Sequence, residues 1–224
     1  MERTPSPSTA AEFRVALSGL RRSDDKIGMG QIFALARERM SMEPEEIERL
    51  LASGDHASRV GAVSVMDWQA RSKRTTPERR RELFDLYVRR HDLIDTWDLV
   101  DRSAIWVVGD YLVDKPRDVL YRLARSDRPM ERRTAILSTF AFIRRGDVKD
   151  SVAISEMLVD DEDDLVHKAV GWMLREVGKK DPAAHATFLE RHAATMPRAM
   201  LRYAIEKLPA DERRRYMDMA SRAT

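Results

Sequence analysis

The sequence predicts an all-α protein built as an α-solenoid of paired helices, expected to be right-handed with a concave basic face, and three observations lead to the all-α solenoid class. Few segments alternate strictly or gather valine and threonine as strands do, whereas helical spacing with good helix formers covers nearly everything after residue 10. Prolines recur at Pro44, Pro77, Pro116, Pro129, Pro182, Pro197 and Pro209 and divide the chain into units of one or two short helices. A weak repeat, an Arg or His with Ala two residues on and more apolar residues behind it, runs as RSAIW from Arg102, RRTAIL with Arg133, HKAVGW from His167 and RYAI from Arg202. Its intervals are 31, 34 and 35 residues, and RVGAV at Arg59 lies 43 before Arg102. Such periods indicate stacked helix pairs, whose concave face suits an extended partner. Duplex DNA and another protein both fit that shape.

A chain of 224 residues with 43% apolar residues is long enough for one domain with a substantial core. The expected boundaries are a polar, proline-rich, disordered tail over residues 1–10, reading MERTPSPSTA, and a single helical domain over 11–220. The absence of cysteine excludes disulfides, thiolate zinc sites and a cysteine nucleophile. No apolar leader follows the first residues and no run approaches the roughly 20 apolar residues of a membrane span, so a cytoplasmic protein without a membrane partner is expected.

Net charge is only +2, but 35% of residues are charged, and they cluster. Basic groups gather at Arg71 to Arg74, Arg79 to Arg81, Arg132 and Arg133, and Arg213 to Arg215; acids gather at Asp160 to Asp164. These are either solvated helix faces or a basic groove with an acidic back, and counts alone do not choose between them.

The stretch TWDLVDRSAIW, from Thr96, places an acid where a helix should be apolar. At 3.6 residues per turn Val100, Ala104, Val107, Val108 and Tyr111 form one stripe, widened by Trp97, Ile105 and Leu112, and Asp101 falls inside it. A carboxylate there is costly unless something partners it or it opens onto a cleft. Later, LVHKAVGWMLREVGKK buries Val166, Val170, Met173, Leu174 and Val177, and carries Lys168, Trp172, Arg175 and Lys179 on the opposite side. Trp172 is then either an aromatic platform among phosphate contacts or a ring packed on a neighbouring repeat. Arg133 sits one turn after Pro129, where a cation opposes the helix dipole; a bound phosphate or the adjacent Glu131 would each remove the conflict. The histidines His56, His91, His167, His185 and His192 show no metal spacing, and GMGQ at Gly28 is no phosphate loop, so no metal or cofactor is expected.

Three blocks in order, TWDLVDRSAIWVVGDYL, ERRTAILSTF and LVHKAVGWMLREVGKKDP, resemble the bacterial HEAT-like-repeat alkylpurine DNA glycosylases of the DNA alkylation repair (AlkD-type) family. The resemblance implies catalytic residues at Trp97, Asp101, Arg133 and Trp172, with Arg175 as a phosphate contact. Lys168, Lys179, Arg132 and Arg202 are the further candidate DNA-binding cations. It also implies excision of N3- or N7-alkylated purines from duplex DNA without base flipping, in base excision repair, by a nucleoid-associated monomer with no obligate protein partner. The alternatives are a non-catalytic DNA-binding relative that recognises damaged or branched duplex, and a protein-interaction scaffold. The segment SGLRRSDDKIGMGQIF departs from the family in lacking a tyrosine.

Overall fold

Local chemistry sets many of the helix starts. In the computed structural model, which describes residues 8–20 and 27–222, proline occupies the first turn of α3 (Pro44–Leu51), α5 (Pro77–Arg89), α8 (Pro129–Ser138) and α12 (Pro182–His192). Side chains cap others. Thr9 and Glu12 exchange reciprocal bonds at α1 (Ala10–Gly19), and Asp55 accepts from the Ser58 amide at α4 (His56–Arg71). Asp163 accepts from the Leu165 and Val166 amides at α11 (Asp164–Lys180). The remaining helices are α2 (Met29–Glu38), α6 (Trp97–Ser103), α7 (Asp118–Ala124), α9 (Phe140–Ile143), α10 (Lys149–Leu158), α13 (Arg198–Ile205) and α14 (Ala210–Arg222), and no strand occurs among the described residues.

The chain forms two compact units, Met1–Tyr111 and Leu112–Thr224. In the first, α4 is the central helix, packed on α2, α3 and α6, with Val60, Ala62, Val63, Val65 and Met66 buried. In the second, α11 takes that place against α8, α10, α12 and α13, and Val166, Val170, Met173, Leu174 and Val177 are fully buried as their spacing predicts. Gly171 is what lets α13 approach: a Cβ there would lie 2.4 Å from the Met200 carbonyl oxygen and 2.6 Å from Tyr203 Cβ.

The repeated basic position ties neighbouring segments together. Arg59 pairs with Asp95, Arg102 reaches Ser64 and Asp67, Arg133 donates to the Leu165 carbonyl, and His167 bonds the Asp161 carbonyl. Of the expected tail, residues 1–7 lie outside the described residues. Ser8 and Ala10 are already buried, and α1 starts at Ala10 rather than beyond it. Among the described residues no helix is long and apolar enough to cross a membrane.

Candidate nucleic-acid interface and catalytic residues

Helix α6 opens the candidate site of the first unit. Trp97 is its first residue and is 52% exposed, while Asp101, one turn on along the same face, is half-buried and held by an interaction within the protein. The nearby Asp98 is committed elsewhere: it accepts from the Thr96 hydroxyl at 2.7 Å and meets His56 Nε2 at 2.8 Å. The apolar stripe beneath is as expected, with Val100, Ala104, Val107 and Val108 buried. The helix does not continue at 3.6 residues per turn, however. Residues Ala104–Gly109 form a π-helical turn in which the Asp110 amide bonds the Ile105 carbonyl at 2.9 Å. Every residue of the wide turn is buried except Trp106, which is half-exposed.

Trp106 belongs to a cluster that sequence reasoning did not assemble. The Arg71 guanidinium lies 4.4 Å from the Trp106 ring centre and 5.4 Å from that of Trp68; Arg37 and Arg102 each lie 5.2 Å from the Trp68 ring, and Arg102 lies 4.4 Å from the Phe33 ring. The Trp68 indole N–H donates to the Phe33 carbonyl at 3.2 Å, which fixes the ring. Beneath sits Asp67, fully buried, 3.0 Å from Arg102 and 3.4 Å from Arg71. Burial pushes its carboxyl up to about 6 against the pull of both arginines, and burial likewise lowers Arg102. The signal available in the sequence was Asp67, Trp68 and Arg71 on one helix, an i, i+4 ion pair flanking a tryptophan. The partners at Phe33, Arg102 and Trp106 come from other helices.

The second unit holds the remaining candidates. Arg133 is buried, and its guanidinium donates to the Leu165 carbonyl, while Glu131 pairs with Arg128. At this position a carbonyl of α11 accepts from the arginine. Arg132 grips Asp161 at 2.6 and 3.0 Å and donates to the Ser126 carbonyl. On α11, Trp172 is half-buried with Phe140 at a ring distance of 6.3 Å, so the ring packs against a neighbouring helix and is not fully displayed. Arg175 pairs with Glu206 and lies 3.4 Å from Glu176, and Lys179 pairs with Glu176 at 2.7 Å. Lys168 is half-buried. Arg202 is exposed and lines a shallow groove with Ile205, Arg213, Arg214 and Met217. Among the described residues no group of His, Asp or Glu is arranged to hold a metal ion.

Each unit is thus a set of packed helices that carries tryptophans and arginines at or near its surface. The sequence profile of the DNA alkylation repair enzyme family matches residues 27–208, and the chain belongs to that family. Its role is therefore in the repair of alkylated DNA. A comparison with curated proteins found no match.

Proposed function

We propose that the protein is a DNA glycosylase that excises N3- or N7-alkylated purines from duplex DNA, and that the helix pairs of each unit are repeats of the HEAT type. The observation that carries this reading is the placement of a half-exposed tryptophan and a partly buried carboxylate one turn apart on α6. An alkylated purine is cationic and leaves as a neutral base, taking the electron pair of the C1′–N bond, so little acid catalysis is needed. The positive charge that develops on the sugar is what requires stabilisation. Asp101 supplies a fixed negative charge for it and orients the water that attacks C1′, accepting the proton that water gives up. The face of Trp97 supports the cationic sugar through its ring quadrupole. The family resemblance further implies roles for Arg133 and Trp172, and Lys168, Arg175, Lys179, Arg132 and Arg202 are proposed phosphate contacts.

One observation favours a non-catalytic DNA-binding protein instead. Arg132, Arg175 and Lys179 already have carboxylate partners, so phosphate must compete with Asp161, Glu176 and Glu206. Release of methylated purine from alkylated duplex by wild type and Asp101→Asn, with duplex binding recorded for both, separates the readings. The expected result is a loss of release of about 10²–10³-fold with binding retained. Unchanged release by Asp101→Asn removes the role of that carboxylate. Salt-sensitive duplex binding with no release by wild type favours the non-catalytic protein, and neither binding nor release favours a scaffold.

A further inference from the structure

The geometry points to a second nucleic-acid contact in the first unit: Arg37 and Arg71, set over Trp68 and Trp106 and backed by the inward-turned Arg102 on Phe33, form a clamp for the phosphates of a DNA backbone. This rests on the reading that DNA is the protein's substrate, but it concerns residues outside the proposed catalytic pair.

Several arginines elsewhere among the described residues are neutralised by carboxylates. Arg90 pairs with Glu48, Arg117 with Asp147 and Asp150, Arg132 with Asp161, and Arg175 with Glu206. Here three guanidiniums lie against rings, and two of them share one buried acid. Among the described residues the acids at the cluster are Asp67, buried beneath Arg71 and Arg102, and Glu38, which lines the groove with Phe33, Ala34, Arg37 and Trp68. Three cations against the single acid within ion-pair distance leave positive charge at an exposed surface, since Arg37 and Arg71 are both exposed. Lys73 and Arg74, exposed just after α4, extend it.

Stacking also prepares the arginines for phosphate. A guanidinium lying on an aromatic face keeps its N–H edge outward and its plane set, which is the form that grips phosphate oxygens bidentately. The rings hold that geometry without cancelling the charge. Asp67 acts from below on two of the three, bonding Arg71 and lying 3.0 Å from Arg102. The partner that matches the two exposed guanidiniums of Arg37 and Arg71 is a polyanion with regularly spaced phosphates, which the substrate DNA supplies.

The test is duplex binding as a function of salt, on unalkylated duplex so that it does not depend on excision. Arg37→Gln combined with Arg71→Gln is expected to lower affinity about tenfold at low salt and to flatten the log–log salt slope by about two, one for each phosphate no longer neutralised. Arg81→Gln, which removes an exposed arginine of α5 paired with Asp85, serves as the charge control and leaves the slope unchanged. Trp68→Leu keeps every charge and removes the ring, and its affinity is expected to fall severalfold. An unchanged salt slope in the double arginine variant overturns the clamp, whatever Trp68→Leu does. If wild type releases no base from alkylated duplex and the double variant still flattens the slope, the glycosylase reading fails and the clamp stands. If release is intact and the slope is unmoved, the clamp fails alone.

Discussion

Helices α4 and α11 are the central helices of their units, and each carries a tryptophan with an arginine three residues later: Trp68 and Arg71, Trp172 and Arg175. Their fates differ. Arg71 lies over Trp68 and Trp106 with one buried carboxylate below it, whereas Arg175 turns to Glu206 and Glu176, and Trp172 packs with Phe140. The same local spacing thus gives a charged aromatic surface in one unit and a neutralised helix face in the other. What decides between them is where the acids lie. On α11 Glu176 follows the arginine directly and Glu206 comes from beyond α13, and both Lys207 and Arg175 hold the Glu206 carboxyl below its ordinary range. On α4 the only adjacent acid, Asp67, is sealed beneath the cluster.

Titrating that acid is expected to separate the two helices most. The folded Asp67 carboxyl binds its proton more tightly than the unfolded chain does, about 6 against 3.8. Its ionisation therefore opposes folding: stability falls as pH climbs from about 4 to about 6, and the cost is present in full above that. Asp67→Asn removes this dependence. Relative to the variant, wild type is expected to lose up to roughly 3 kcal/mol across the window, as read by denaturant midpoints at each pH. Equal slopes for the two proteins would mean that Arg71 and Arg102 compensate the buried charge completely.

Next in size is Gly171→Ala. Its new methyl meets the Met200 carbonyl and Tyr203, and separating α11 from α13 is expected to cost about 2 kcal/mol in chemical denaturation. Because Glu206 follows α13, the variant also loosens the Arg175 pair, and the α11 face should bind polyanions better than before relative to its stability. Trp68→Leu removes half-buried ring contacts and the bond to the Phe33 carbonyl, with an expected loss of about 1.5 kcal/mol. The smallest effect belongs to Arg175→Gln, which removes an ion pair to the exposed Glu206 carboxylate and for which a shift of the unfolding midpoint worth less than about 1 kcal/mol is expected. A large shift there would show that the α11 pairs are structural rather than surface decoration.

Much of the fold was legible in the sequence because its determinants are local. Proline at the first turn of α3, α5, α8 and α12, and the caps Thr9, Asp55, Thr76 and Asp163, act on amides within a few residues, so helix starts follow from neighbours in the chain. The buried series from Val166 to Val177 follows in the same way from helical period, whereas the stripe that begins at Val100 passes into the π-turn after Ser103. The shared face of Trp97 and Asp101 needs only a spacing of four residues. What the tertiary structure alone decided is which groups meet across long separations. Arg133 found the carbonyl of Leu165; Arg175 found Glu206; and Arg102, Phe33 and Trp106 gathered around Asp67 and Trp68. A side chain's period tells which way it leaves its own helix. Its partner depends on the packing of another helix, and on whether a carbonyl, a carboxylate or a ring waits there, which no local rule contains.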